Sequence, residues 1–77
     1  KPFNPTTTIT YHLVQPVTVE LEVFDLRGRR IETLVDRIQS AGQHAVEFNT
    51  ASLASGAYFY KIQAGDFSAV RKMMVVK

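Results

Sequence analysis

The chain has 77 residues, 45% of them hydrophobic and 21% charged, with no cysteine and a net charge of +2. That length suits one small domain, residues 1–77, with a thin core, and the lack of cysteine excludes disulfide staples and thiolate metal centres while leaving the redox compartment open. The positive excess is too small for a nucleic-acid surface, and no apolar run approaches the roughly 20 residues that cross a bilayer.

The chain opens at Lys1-Pro2 and not at a methionine, so it reads as an excised piece, and the missing targeting segment says nothing about its parent. Asn4-Pro5-Thr6 has proline in the middle and is no glycosylation acceptor. The dominant period from here on is two. Residues 8–13 place Ile9, Tyr11 and Leu13 on one face and Thr8, Thr10 and His12 on the other. Residues 17–24 are the cleanest strand, with Val17, Val19, Leu21 and Val23 set against Thr18, Glu20 and Glu22. Such alternation belongs to a half-buried antiparallel strand. Gln15-Pro16 separates the two runs, because proline withholds a ladder donor.

Residues 25–29, Asp-Leu-Arg-Gly-Arg, read as a turn in which Asp25 bonds its own backbone and Gly28 takes positive φ. A loop of this length with glycine near its end closes a bulged hairpin. The return strand is expected over 30–35, although Leu34 and Val35 break the alternation. Residues 36–42 are expected to be a loop. A strand follows over 43–48, with His44, Val46 and Phe48 facing inward. Residues 49–56 are small and polar, a connection in which Leu53 plugs the core. Residues 57–63 put Tyr58, Tyr60 and Ile62 on one face and Phe59, Lys61 and Gln63 on the other. Gly65-Asp66 is a two-residue hairpin signal. The closing stretch, FSAVRKMMVVK over 67–77, carries Ala69, Arg71, Met73 and Val75 on one face and Val70, Lys72, Met74 and Val76 on the other. Neither face is cleanly apolar, which implies a bulge or an exposed edge where a long side chain reaches water. Six or seven short strands and no convincing helix predict an all-β fold, an immunoglobulin-like antiparallel β-sandwich of about seven strands.

Little in the chain points to catalysis. His12 and His44 are the only imidazoles, and zinc needs three or four ligands. Ser40, Ser52, Ser55 and Ser68 lie outside any nucleophile elbow. Glu20 and Glu22 sit about 7 Å apart on one strand face, a spacing akin to paired glycosidase carboxylates. A solvated outer face explains them better, because a chain this small has little room for a cleft. Arg27, Arg29 and Arg30 around Gly28 read as a solvated turn in preference to a phosphate site. Among the consecutive Tyr58, Phe59 and Tyr60 at least one ring faces outward, as a sugar platform or, more simply, with Phe59 packed on the outer sheet or against a neighbouring domain. No cofactor is expected.

Four pieces in order carry a resemblance: KPFNPTTTITY at the start, a strand followed by D-x-x-G, an S-G-x-Y-x-Y strand, and a closing K-M-x-V-x-K. Together they resemble the C-terminal sorting domain of the type IX secretion system, the Por secretion tail of the Bacteroidetes group. An immunoglobulin-like module of the flagellar hook-capping protein shares the opening and middle pattern. The resemblance implies a seven-stranded, non-catalytic sandwich at the end of a secreted cargo protein. It implies as partners the outer-membrane secretion machinery, a sortase-like peptidase that removes the domain, and an N-terminal cargo domain of the same chain. Neither nucleic acid nor membrane insertion is involved. The route runs through the periplasm to the cell surface or medium, with attachment to lipopolysaccharide for many cargoes. The matching positions are Gly56 and Tyr58, then Lys72, Met73, Val75 and Lys77, with Gly28 as the structural turn glycine; Lys1 stands where the pattern has asparagine. As the last strand of a sandwich, the terminus is expected near an edge, where unpaired N–H and C=O groups are open to a receptor and Lys72 and Lys77 add a charge check. A structural spacer packed on a neighbouring domain and a carbohydrate-binding module are the alternatives. A reading frame that stops at Lys77 favours sorting, and one that runs on favours the spacer.

Overall fold

A computed structural model describes residues 5–76. Among them are six antiparallel strands and no helix: β1 (Thr6–Leu13), β2 (Val17–Phe24), β3 (Arg30–Gln39), β4 (Gly42–Asn49), β5 (Gly56–Ala64) and β6 (Phe67–Val75). They form two sheets, a pair β1-β4 and a four-stranded sheet in the order β3-β2-β5-β6. The all-β, immunoglobulin-like expectation agrees with this arrangement, and the described strands number six where about seven are expected.

Period-two patterning places the core. Val19, Leu21 and Val23 on β2 are fully buried, which suits a strand flanked by β3 and β5 and covered by the smaller sheet. Ile9, Leu13, Val35 and Ile62 close around Val19 and Leu21, with Tyr11, Val17, Leu34, Val46, Tyr60, Ala64 and Ala69 packed at the margins. Phe48 is the largest fully buried side chain. The layers are also tied by a polar contact. The Tyr11 hydroxyl on β1 donates to Gln39 Oε1 on β3, and burial raises the Tyr11 pKa, which keeps it a donor.

The expected loop over 36–42 is overturned. β3 runs to Gln39 and β4 starts at Gly42, leaving a turn of two residues. The adjacency of Leu34 and Val35 has the same cause. Leu21 pairs with Val35 while Glu22 pairs with Thr33, so Leu34 is an extra residue, and a second irregularity follows between Val23 and Phe24. Beyond the bulge the alternation resumes with Val35, Arg37 and Gln39 on the inner side. Polar and charged residues there look like a loop in the sequence. They sit on an edge strand, where bulges and inward charges discourage pairing with other chains.

The hairpins follow their turn chemistry. The Gly28 N–H donates to the Asp25 carbonyl and the Asp25 N–H to the Arg29 carbonyl, each at 3.0 Å. Gly28 has φ +83°, so a turn with a glycine bulge links β2 to β3. Asp25 Oδ1 accepts from the Arg27 and Arg29 amides, and Arg29 bonds Oδ2 through Nε. The Arg29 amide is the main reason that the Asp25 pKa lies below the usual carboxylate value. Arg30 pairs with Glu22, so the cluster around Gly28 is a solvated, locally paired turn.

Between β5 and β6, Ala64 pairs with Phe67 across Gly65-Asp66, as the two-residue signal requires. Gly65 has φ +61°, and a Cβ there would stand 2.9 Å from Val17 Cγ2. Alanine at position 28, by contrast, would meet nothing within 4 Å. Gly65→Ala therefore carries a left-handed backbone penalty of about 1–2 kcal/mol and a steric clash, whereas Gly28→Ala carries the backbone penalty alone. Thermal melts should show Gly65→Ala falling further than Gly28→Ala; equal midpoints would contradict the close approach.

The connection expected over 49–56 spans residues 50–55, because Asn49 ends β4 and Gly56 starts β5. Asn49 Oδ1 accepts from the Ala51 amide and the Leu53 amide donates to the Thr50 carbonyl, while Leu53 itself is half-buried. The Thr50 amide and Oγ1 both donate to the Pro5 carbonyl, at 2.8 and 3.0 Å, fastening the start of β1 to the end of β4.

Candidate recognition site on the closing hairpin

The closing stretch forms β6, an edge of the larger sheet. Its register against β5 is unbroken from Ala64↔Phe67 to Gly56↔Val75, so an exposed edge, and no bulge, accommodates Arg71 and Lys72. Val75 is buried, Ala69 and Met73 are half-buried, and Val70, Lys72, Met74 and Val76 are exposed. The inner side thus carries the packing and the outer side faces solvent, with Arg71 at the rim of the inner side.

That register brings the motif residues together. Gly56 lies opposite Val75, Tyr58 opposite Met73, and Phe59 opposite Lys72. Gly56 has φ +150°, a conformation that side chains other than hydrogen rarely adopt, and it lets β5 begin directly from the connection. The Tyr58 hydroxyl donates to the Ala54 carbonyl at 2.8 Å, holding the connection against the strand it leads into. Two distant pieces of sequence, S-G-x-Y and K-M-x-V, therefore form one corner of the hairpin. Lys77 lies outside the described residues.

Gly28 is not in this corner, but its turn is beside it. Asp25, Leu26 and Arg27 share a shallow depression of about 250 Å³ with Ser55, Gly56, Ala57 and Tyr58. Sequence reasoning did not single out Leu26, which is 64% exposed; the signal available was an apolar residue in a turn otherwise made of Asp, Arg and Gly.

Charge is distributed unevenly. Among the described residues the ion pairs are Arg29–Asp25 and Arg30–Glu22, both on the β2–β3 hairpin. Lys72 and Arg71 have no carboxylate partner there. Phe24 and Phe59 are neighbours across β2 and β5, and Lys72 extends that row on the outer face, so Phe59 is half-covered by its own sheet. Glu20 and Glu22 stand on the same outer face of β2. His12 is exposed, and His44 is half-buried, stacked on Tyr11 with ring centroids 5.5 Å apart and bonded through Nε2 to the Ser40 carbonyl. Among the described residues no group of three His, Cys, Asp or Glu is placed to hold a metal ion. What the corner offers is an exposed strand edge with one cation, Lys72, and an anchored aromatic, an arrangement suited to recognition by another protein.

No curated protein and no solved structure matches the chain. Residues 1–77 match the family model described as secretion system C-terminal sorting domain. The chain belongs to that family, the C-terminal sorting domains of type IX secretion.

Proposed function

We propose that this domain is a non-catalytic signal that carries an N-terminal cargo of the same chain through the periplasm and across the outer membrane, and that the corner formed by Gly56, Tyr58, Lys72, Met73 and Val75, continued by Lys77, is what the secretion machinery grips. Gly28 keeps a structural part, setting the neighbouring turn. After export a sortase-like peptidase removes the domain, and the cargo is released or anchored at the surface. Family membership supports the sorting role. The observation that supports the site is the register of β5 on β6, which gathers motif residues 14 or more positions apart on an exposed edge. Machinery that meets many cargoes must read a feature independent of the cargo, and an edge strand offers backbone groups in a fixed row with side chains as a check.

The test is a fusion of residues 1–77 behind a fluorescent carrier with an N-terminal export signal, expressed in a host competent for type IX secretion. Surface or medium fluorescence that disappears in a machinery-deficient strain is the expected result. Carrier held in the periplasm of the competent host overturns the reading.

A further inference from the structure

Among the described residues the smaller sheet has two strands and the larger has four, so part of the larger sheet's inner face has no described strand above it. The gap lies along β1. Residues Ile9 to Leu13 line it without a break, together with Tyr60, Ala69 and Arg71, around a volume of about 150 Å³. Successive residues of a strand point to opposite faces; five in a row can border one cleft only if the strand's backbone edge faces it. β1 pairs with β4 on one side and, among the described residues, with nothing on the other.

We infer that this cleft receives one extended segment of a partner protein, paired along the free edge of β1 as a third strand of the smaller sheet, with an apolar side chain lowered onto Tyr60 and Ala69 and a carboxylate set against Arg71. The volume holds a benzene-sized group, and strand addition supplies affinity through main-chain bonds and specificity through alternate side chains.

Charge selects the occupant. The residues bordering the cleft include Arg71 and His12 and neither aspartate nor glutamate. Arg71 has no carboxylate within ion-pair reach among the described residues, and its guanidinium makes a long contact of 3.4 Å to the Val70 carbonyl beside it. A second copy fits poorly. Its β1 has already committed Ile9 and Leu13 to its own core, at 4% and 6% exposure. Its β6 would bring Arg71 and Lys72 against Arg71, and like charges placed opposite each other destabilise strand pairing. The cleft adjoins the Phe67–Arg71 half of β6, away from the corner at Lys72–Val75, so this inference stands apart from the sorting reading.

The probe is a fluorescent eight-residue peptide in which threonine alternates with valine, with glutamate replacing one central valine. Sister peptides carry glutamine or lysine at that place. Anisotropy titration on the 77-residue chain should give at least tenfold tighter binding for the glutamate probe than for the lysine probe, and Arg71→Glu should invert the order. Lys61→Ala, exposed on the outer face of β5, should leave it unchanged. Amide shifts in nuclear magnetic resonance spectra should fall on residues 9–13 and 67–71. Absence of binding, equal affinity for the three probes, a preference that Arg71→Glu does not invert, shifts confined to residues 72–76, or a dimer whose contacts protect β1 would each overturn the inference.

Discussion

Phe48→Ala should bring the domain close to unfolding at ordinary growth temperatures. Phe48 is the largest of the fully buried side chains and sits on the inner side of β4. Removing a buried phenylalanine costs about 3–5 kcal/mol, through lost transfer energy and the cavity left behind. A domain of this size has roughly 4–12 kcal/mol in total. Among the described residues the smaller sheet contributes two strands to the sandwich, so few neighbours can move in to fill the hole. At about 4–8 °C per kcal/mol for a chain of this length, the thermal midpoint should fall by more than about 12 °C. Phe67→Ala is the control: Phe67 is 59% exposed, and its loss should change stability by about 0.5 kcal/mol or less. Similar midpoints for the two variants would mean that the core does not centre where the burial places it.

Deletion of Met73 to Lys77 should abolish surface delivery, and it should also weaken the fold. It removes Val75, which is 5% exposed, together with the pairing partners of Gly56, Ala57 and Tyr58. Burial of one valine alone is worth about 1.5–3 kcal/mol. Point substitution separates recognition from stability. Lys72 is exposed and has no ion pair among the described residues, so Lys72→Ala should leave the melt within about 0.5 kcal/mol. A several-fold drop in export at unchanged stability is the expected outcome for Lys72→Ala under the sorting reading. Full export of Lys72→Ala beside a deletion that fails to export would reduce the end of the chain to a structural element, as a spacer would have it.

The strands legible in the sequence were those whose two faces differ sharply. β2 is the clearest, since Val19, Leu21 and Val23 alternate with Thr18, Glu20 and Glu22 and the core lies on one side only. Gly65-Asp66 announced its hairpin because a two-residue turn demands positive φ, and Gly65 supplies it. The second half of β3 was hidden. An edge strand loses little by turning Arg37 inward, and the extra residue at Leu34 shifts the period partway along. The recognition corner was half legible. Its members were recoverable from the resemblance, but their proximity depends on the β5–β6 register, and the nearness of Leu26 and Arg27 depends on how two hairpins lie side by side. Local patterning contains neither relation. The cleft beside β1 was not legible at all, because it depends on an edge of β1 that no described strand pairs with.

The bonds from Thr50 to the Pro5 carbonyl have a mechanical consequence. Pro5 enters the smaller sheet through β1, and Val76 leaves the larger sheet from β6. No backbone ladder joins these two strands. Tension between the two ends is therefore borne by side chains sliding across the interface between layers, while each layer keeps its own ladders and Thr50 prevents β1 from peeling off β4 at its first residue. A β-sandwich loaded this way yields along its greasy seam and not by unzipping, so under the proposed sorting role a cargo tethered ahead of Pro5 and a receptor holding the far hairpin would pull against each other across that seam.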